Sequence, residues 1–162
     1  MDIYNEAGVL VFSVLGKDTN AYFIYKPWDY EKVQISTRIE VRSYAKSSTV
    51  IICNYSADIG WYEFIIGTDG LWDVRLHDTL GKTGYLSLLS GGSLAIQTGE
   101  GINEYTATCS GNRLRLSING SEVLDFTDEI MKYQKGKIGL GVFSYSEVPL
   151  LIESAWVKIS QP

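Results

Sequence analysis

The chain is poor in the residues that carry metal and acid–base chemistry. One histidine and two cysteines occur in 162 residues. Cys53 and Cys109 have no C-x-x-C spacing, and together with a lone histidine they supply too few ligands for tetrahedral zinc. Cationic side chains are also in the minority: 14 Lys and Arg stand against 19 Asp and Glu, for a net charge of −5. A nucleic-acid binder needs a basic stripe, and a helix lying on an anionic membrane needs the same charge, so neither partner is expected. No apolar run reaches the roughly 20 residues of a spanning helix, which argues against membrane insertion. The N-terminus lacks the layout of a secretory leader, so an exported form would carry its leader outside this sequence. Nor does any segment hold a 3.6-residue period over roughly ten residues. Thr127 to Lys135 is the one stretch in which a helical turn is expected.

What the chain does have is strands. Hydrophobic residues make up 45%, with 11 Tyr, 4 Trp and 16 Gly, a composition that suits half-wet sheet surfaces. The stretch Asn103 to Phe126 alternates at period two and is cut by two tight turns. Tyr105, Ala107 and Cys109 share one side of a strand, Ser110-Gly111-Asn112 turns it, and Leu114, Leu116 and Ile118 share one side of the next. Asn119-Gly120 is a strong signal for a type I′ hairpin, which needs positive φ at both central positions, and Val123, Leu124 and Phe126 follow. A three-stranded antiparallel meander with one apolar face is expected.

Elsewhere, Val9 to Leu15 and Ala21 to Tyr25 read as strands, with Trp28 to Tyr30 in a Pro-containing loop. Val33 to Arg42 alternates with Val33, Ile35, Thr37, Ile39 and Val41 on the inner side. In Trp61 to Asp78, Thr68-Asp69-Gly70 suits a three-residue turn with Gly in the left-handed position. That register opposes Tyr62, Phe64 and Ile66 to Trp72, Val74 and Leu76. On the other face it pairs Trp61 with His77, Glu63 with Arg75 and Ile65 with Asp73. Gly81 to Gly84 reads as a turn and Ser90 to Gly101 as a Gly/Ser-rich loop. Ten to twelve short strands with turn residues between them imply an all-β fold, a sandwich or barrel, and a single domain over residues 1–162. Both cysteines fall in apolar strand segments, which leaves two readings open: one disulfide, or two buried thiols.

The order of these pieces resembles the concanavalin A-like lectin/glucanase superfamily, and within it the non-catalytic domains related to family-16 glycoside hydrolases. The resemblance rests on Trp61 to Ile66 with Asp69-Gly70 and Trp72, and on Ser93 to Ile96. Asn103 with Ala107 to Cys109, Leu114 to Gly120, and Asp128 with Gly136 to Leu140 complete it. It implies a two-sheet antiparallel β-sandwich, a jelly roll, with one concave sheet. It also implies a role in carbohydrate recognition, often as one module of a longer bacterial extracellular or cell-surface protein. The family's opening strand is not matched, so the first strand is expected to be truncated.

Retaining hydrolases of this fold carry paired carboxylates in an E-x-D-x-x-E strand, since nucleophile and acid/base must lie about 5 Å apart. No such pattern occurs; Glu40, Glu63, Glu104 and Glu153 each lack an acidic neighbour two residues away. No catalytic residues are therefore assigned. Trp61, Glu63, Asp73, Arg75 and His77 form the candidate ligand-binding row, aromatic platforms beside charged hydrogen-bonding groups. A plainer reading of the row is a solvated face with one cross-strand Glu63–Arg75 ion pair. No cofactor or metal site is expected, although Asp58, Asp69 and Asp73 are loop and strand oxygens of the type calcium takes. Asn54-Tyr55-Ser56 and Asn119-Gly120-Ser121 match the glycosylation sequon. The expected function is a non-enzymatic carbohydrate-binding or accessory module. The alternatives are a divergent glycoside hydrolase, of the 3-keto-glycoside kind, working through Glu63, Asp73 and His77, and a structural or protein-interaction domain.

Overall fold

The computed structural model describes the chain except residues 82, 83, 131, 132 and 134. Thirteen strands form among the described residues, in two antiparallel sheets. The first sheet, A, has seven strands: β1 (Asp2–Glu6), β2 (Val9–Val14), β4 (Lys32–Val41), β9 (Gly101–Ser110), β10 (Arg113–Ile118), β11 (Ser121–Thr127) and β13 (Leu150–Ser160). Sheet B has six: β3 (Asn20–Tyr30), β5 (Ser47–Ser56), β6 (Gly60–Gly67), β7 (Leu71–Asp78), β8 (Gly84–Gly92) and β12 (Gly136–Ser144). Sheet A runs in the order β1-β2-β13-β4-β9-β10-β11, and sheet B in the order β3-β12-β5-β6-β7-β8. Their inner faces pack into one core, as the period-two pattern requires. Ile35, Ile39, Leu114, Leu116 and Ile118 come from A, and Ile51, Tyr62, Phe64, Val74 and Leu76 from B.

The expected meander is β9-β10-β11, with a bulge between Leu116 and Ser117 that shifts the β10–β11 register. Asn119 and Gly120 both have positive φ, 48° and 82°, as a type I′ turn demands. Asn119 also anchors the turn sideways: its Nδ2 donates to the Ala95 carbonyl at 2.7 Å and to Asn103 Oδ1 at 2.8 Å. Asn54 Nδ2 is likewise engaged, donating to Tyr133 O and Gly111 O at 2.7 and 3.0 Å, and the residue is buried. Neither sequon asparagine presents a free amide.

Cys53 and Cys109 are joined in a disulfide, with 6.6 Å between their Cα atoms and both side chains fully buried. The bond does not link neighbouring strands of one sheet; it crosses the sandwich from β5 to β9. Closing a 56-residue separation is worth about 4 kcal/mol on the chain-entropy account.

Several local expectations are corrected. Trp28 to Tyr30 belong to β3 and not to a loop. Pro27 is tolerated there because β3 is an edge strand and its ladder to β12 is interrupted by a bulge beside it. Ser90 to Gly92 continue β8, so the Gly/Ser-rich loop covers only 93–100. β1 and β2 pair at the edge of sheet A, and β2 is hydrogen-bonded to β13. No helix occurs among the described residues of Thr127 to Lys135, and Met131, Lys132 and Gln134 lie outside them, as do Lys82 and Thr83 of the Gly81 to Gly84 turn.

Replacing Gly120 by Val forces a β-branched side chain into positive φ, which costs about 1–3 kcal/mol. The variant is expected to melt several degrees below the parent in a thermal unfolding scan. An unchanged midpoint would contradict the type I′ turn.

Candidate functional site

The hairpin of β6 and β7 adopts the predicted register: Trp61 opposite His77, Glu63 opposite Arg75 and Ile65 opposite Asp73, closed by Gly70 at φ 87°. Pleating then puts Trp61, Glu63, Asp73, Arg75 and His77 together on the outer face of sheet B. Their environments differ more than the pattern suggested.

Glu63 is not exposed; its residue accessibility is zero. Its Oε1 accepts hydrogen bonds from Trp61 Nε1 at 2.8 Å and from the Tyr22 hydroxyl at 2.9 Å. Its Oε2 is buried and has no hydrogen-bond partner. Tyr22 comes from β3, three strands away across β12 and β5. The reach depends on glycine at two alternate positions of β12. A Cβ on Gly141 would lie 2.5 Å from the Tyr22 ring and 2.6 Å from the Ala21 carbonyl oxygen; one on Gly139 would lie 2.7 Å from the Ile24 side chain. With both positions bare, Tyr22 and Ile24 fold down over the strand.

Trp61 is one ring in a row that crosses four adjacent strands. Ring centroids run from Tyr55 to Trp61 at 4.9 Å, Trp61 to His77 at 3.9 Å and His77 to Tyr85 at 4.3 Å. Trp61 also packs in an outer apolar cluster with Val50, Ile52, Ile65 and Phe143. Trp61 is thus built into the outer face and does not stand free of it.

The Glu63–Arg75 ion pair does not form. Arg75 Nε binds Asp73 on its own strand, and Asp73 Oδ1 accepts from Ser87 Oγ at 2.6 Å. Asp73 thus orients the guanidinium over the sheet. Two hollows, of about 360 and 300 Å³, meet there and share Arg75 and Tyr145. Lys46, Ile65, Asp69 and Asp73 line the larger; Asn20, Tyr85 and Phe143 line the smaller. Of the five predicted residues, only Asp73 and Arg75 border this groove. Tyr85, Phe143, Tyr145 and Lys46 were missed, because strand order alone brings them to the hairpin.

Burial governs the local electrostatics. Desolvation pushes the Glu63 carboxyl above its ordinary value, outweighing the hydrogen bonds from Trp61 and Tyr22 and the nearby Arg75 charge. Burial, then the Glu63 charge, pushes the Tyr22 and Tyr85 hydroxyls up. Burial holds the His77 imidazole below its ordinary value. The three calcium candidates are not gathered. Asp58 lies in the turn before β6, Asp69 in the turn after it, paired with Lys46 at 2.9 Å, and Asp73 is bound to Arg75. No cluster of three or more His, Cys, Asp or Glu side chains able to hold a metal occurs among the described residues.

The raised carboxyl has a signed consequence. The native state holds the Glu63 proton more tightly than the unfolded chain, so stability falls as pH rises from the unfolded value of about 4.3 through the higher folded one. Glu63→Gln removes this loss. The difference in melting temperature, variant minus parent, is expected to grow more positive between about pH 4 and pH 7. A difference that stays flat or moves the other way would show that Glu63 is not desolvated as described.

No family model matches the chain, and no curated protein sequence is similar to it. Solved structures are similar in fold. A carbohydrate-binding module, CBM66 from Bacillus subtilis, aligns with a TM-score of 0.73 at 10% identity, over 99% of this chain and 91% of that one. A GH16 enzyme of the Bacteroides ovatus mixed-linkage glucan locus aligns at 0.65 and 11% identity, covering 98% and 84%. Sheep galectin-11, solved with glycerol, aligns at 0.56 and 12% identity, covering 91% and 100%. At such identities the likeness concerns the fold alone, and that fold is the concanavalin A-like jelly roll.

Proposed function

We propose that the protein is a non-enzymatic carbohydrate-binding module that holds a saccharide in the groove at Arg75 and Tyr145. The observation that carries this reading is the groove itself. It sets the rings of Tyr85, Phe143 and Tyr145 beside Arg75, Asp73 and Lys46. Sugars present apolar CH faces and a fringe of hydroxyls, and rings next to fixed charged hydrogen-bonding groups suit both. The outer face of sheet A is a poorer candidate because three of its arginines are tied up in ion pairs on the same face. Arg113 binds Asp125, Arg115 binds Glu122, and Arg42 binds Glu40 and Glu153. Structures of the same fold include a carbohydrate-binding module and a galectin, which supports the reading by analogy.

Binding is favoured over hydrolysis because a general acid must reach its substrate. Glu63 borders neither hollow of the groove and is sealed from solvent, while Asp73 is committed to Arg75. The cross-sheet disulfide supports export to an oxidising compartment, and a place as one module of a longer surface protein agrees with it.

A glycan array followed by calorimetric titration tests the proposal. Arg75→Ala removes a charged donor worth about 1.5–3 kcal/mol, so affinity is expected to fall at least about tenfold. Arg115→Ala, on the outer face of sheet A, should leave affinity unchanged. Equal binding by parent and Arg75→Ala would place the site elsewhere; an array with no bound glycan would leave a structural or protein-interaction role.

A further inference from the structure

The other end of the same sheet face carries charge that the groove does not use. Another hollow, of about 480 Å³, is lined by Lys26 of β3, by Lys135 just before β12 and Lys137 within it, by Tyr55 of β5, and by Ile24, Asp29 and Ile59 among others. Three lysines therefore border one basin in a chain whose net charge is −5. Asp29 is the one carboxylate in the lining, and it is engaged by Lys137 Nζ at 3.2 Å. Lys26 and Lys135 have no carboxylate partner among the described residues. Protection of an edge strand against pairing accounts for a lysine on β3. It does not account for Lys137, one strand further in on β12, or for Lys135, which precedes that strand.

Like charges gathered around a concavity raise its potential and concentrate anions there. The basin is also not an isolated charge patch. Its Tyr55 wall is the end ring of the row that continues through Trp61, His77 and Tyr85. An aromatic wall beside uncompensated ammonium groups matches a sugar ring that bears a negative charge.

We propose that this basin is a subsite for an anionic saccharide unit, its carboxylate or sulfate received by Lys26 and Lys135 and its ring set against Tyr55. The inference rests on the carbohydrate-binding reading and narrows it: the glycan recognised is acidic. The uronate carboxylate and the sulfate ester share the required chemistry, and the probes below separate them.

The experiment is calorimetric titration of the whole chain with an oligogalacturonate, its fully methyl-esterified neutral form and a sulfated galacto-oligosaccharide, each at low and high salt. One anionic probe is expected to bind at least about tenfold tighter than the neutral form and to weaken as salt rises. The double variant Lys26→Gln/Lys135→Gln is expected to lose about tenfold for that probe. Its melting temperature should stay the same, since both side chains are exposed. Equal affinity for charged and neutral forms, or binding on the array by neutral glycans only, would overturn the acidic subsite and leave the carbohydrate-binding reading standing. An anionic probe bound equally well by parent and double variant would overturn the assignment to these lysines. If no probe and no array glycan binds, both readings fall together.

Discussion

The outer face of sheet B is organised around a carboxyl that has no access to water. Burying Glu63 carries a desolvation cost, and the structure meets it with two donors, Tyr22 and Trp61, from different strands. The Tyr22 bond spans from β3 to β6 and exists only because β12 offers glycine at 139 and 141, where any side chain would meet the Tyr22 and Ile24 side chains. Trp61, fixed by its indole bond, in turn positions the rings of Tyr55 and His77 on either flank and, through His77, Tyr85. One buried polar group thus sets the positions of several side chains that give the face its shape.

Around this centre the two ends of the face differ in character. At one end Arg75, steadied by Asp73 and Ser87, opens onto a groove with aromatic walls. At the opposite end, lysines border the basin beside Tyr55. On the proposed carbohydrate-binding reading, preorganisation of this kind would lower the entropic cost of binding, because little on the face would need ordering. The far end of the sandwich is tied down independently. Tyr62 donates to Asp128 and accepts from the Tyr133 amide at 2.7 and 3.0 Å, and the disulfide joins the sheets between β5 and β9.

Much of this was legible in the sequence wherever the information was local. The Asp69-Gly70 turn fixed the β6–β7 register, and with it the placement of all five predicted residues on one face. Asn119-Gly120 fixed the meander. What the sequence hid was non-local. Tyr22 meets Glu63, and Tyr145 borders the same hollows as Arg75, because sheet B runs β3-β12-β5-β6-β7, an order set by the whole sandwich and not by any neighbouring residues. Alternation also reports facing and not depth, so it marked Glu63 and Trp61 as outward without revealing that an apolar cluster covers them. Arg75 pairs with Asp73 on its own strand, while Glu63, buried beneath the face, takes its hydrogen bonds from Trp61 and Tyr22. One overlooked signal was present: Gly139 and Gly141, alternating in a late strand, mark a close approach of neighbouring groups.

The most direct test of a ligand face on sheet B is residue-resolved mapping of a bound glycan by amide and side-chain NMR shifts. On titration with the tightest array ligand, shifts are expected at Arg75, Tyr85, Phe143 and Tyr145, with Arg115, Glu122 and Trp156 on sheet A unmoved. Shifts concentrated on sheet A, or in the 93–100 loop, with the Arg75 groove silent, would contradict the account.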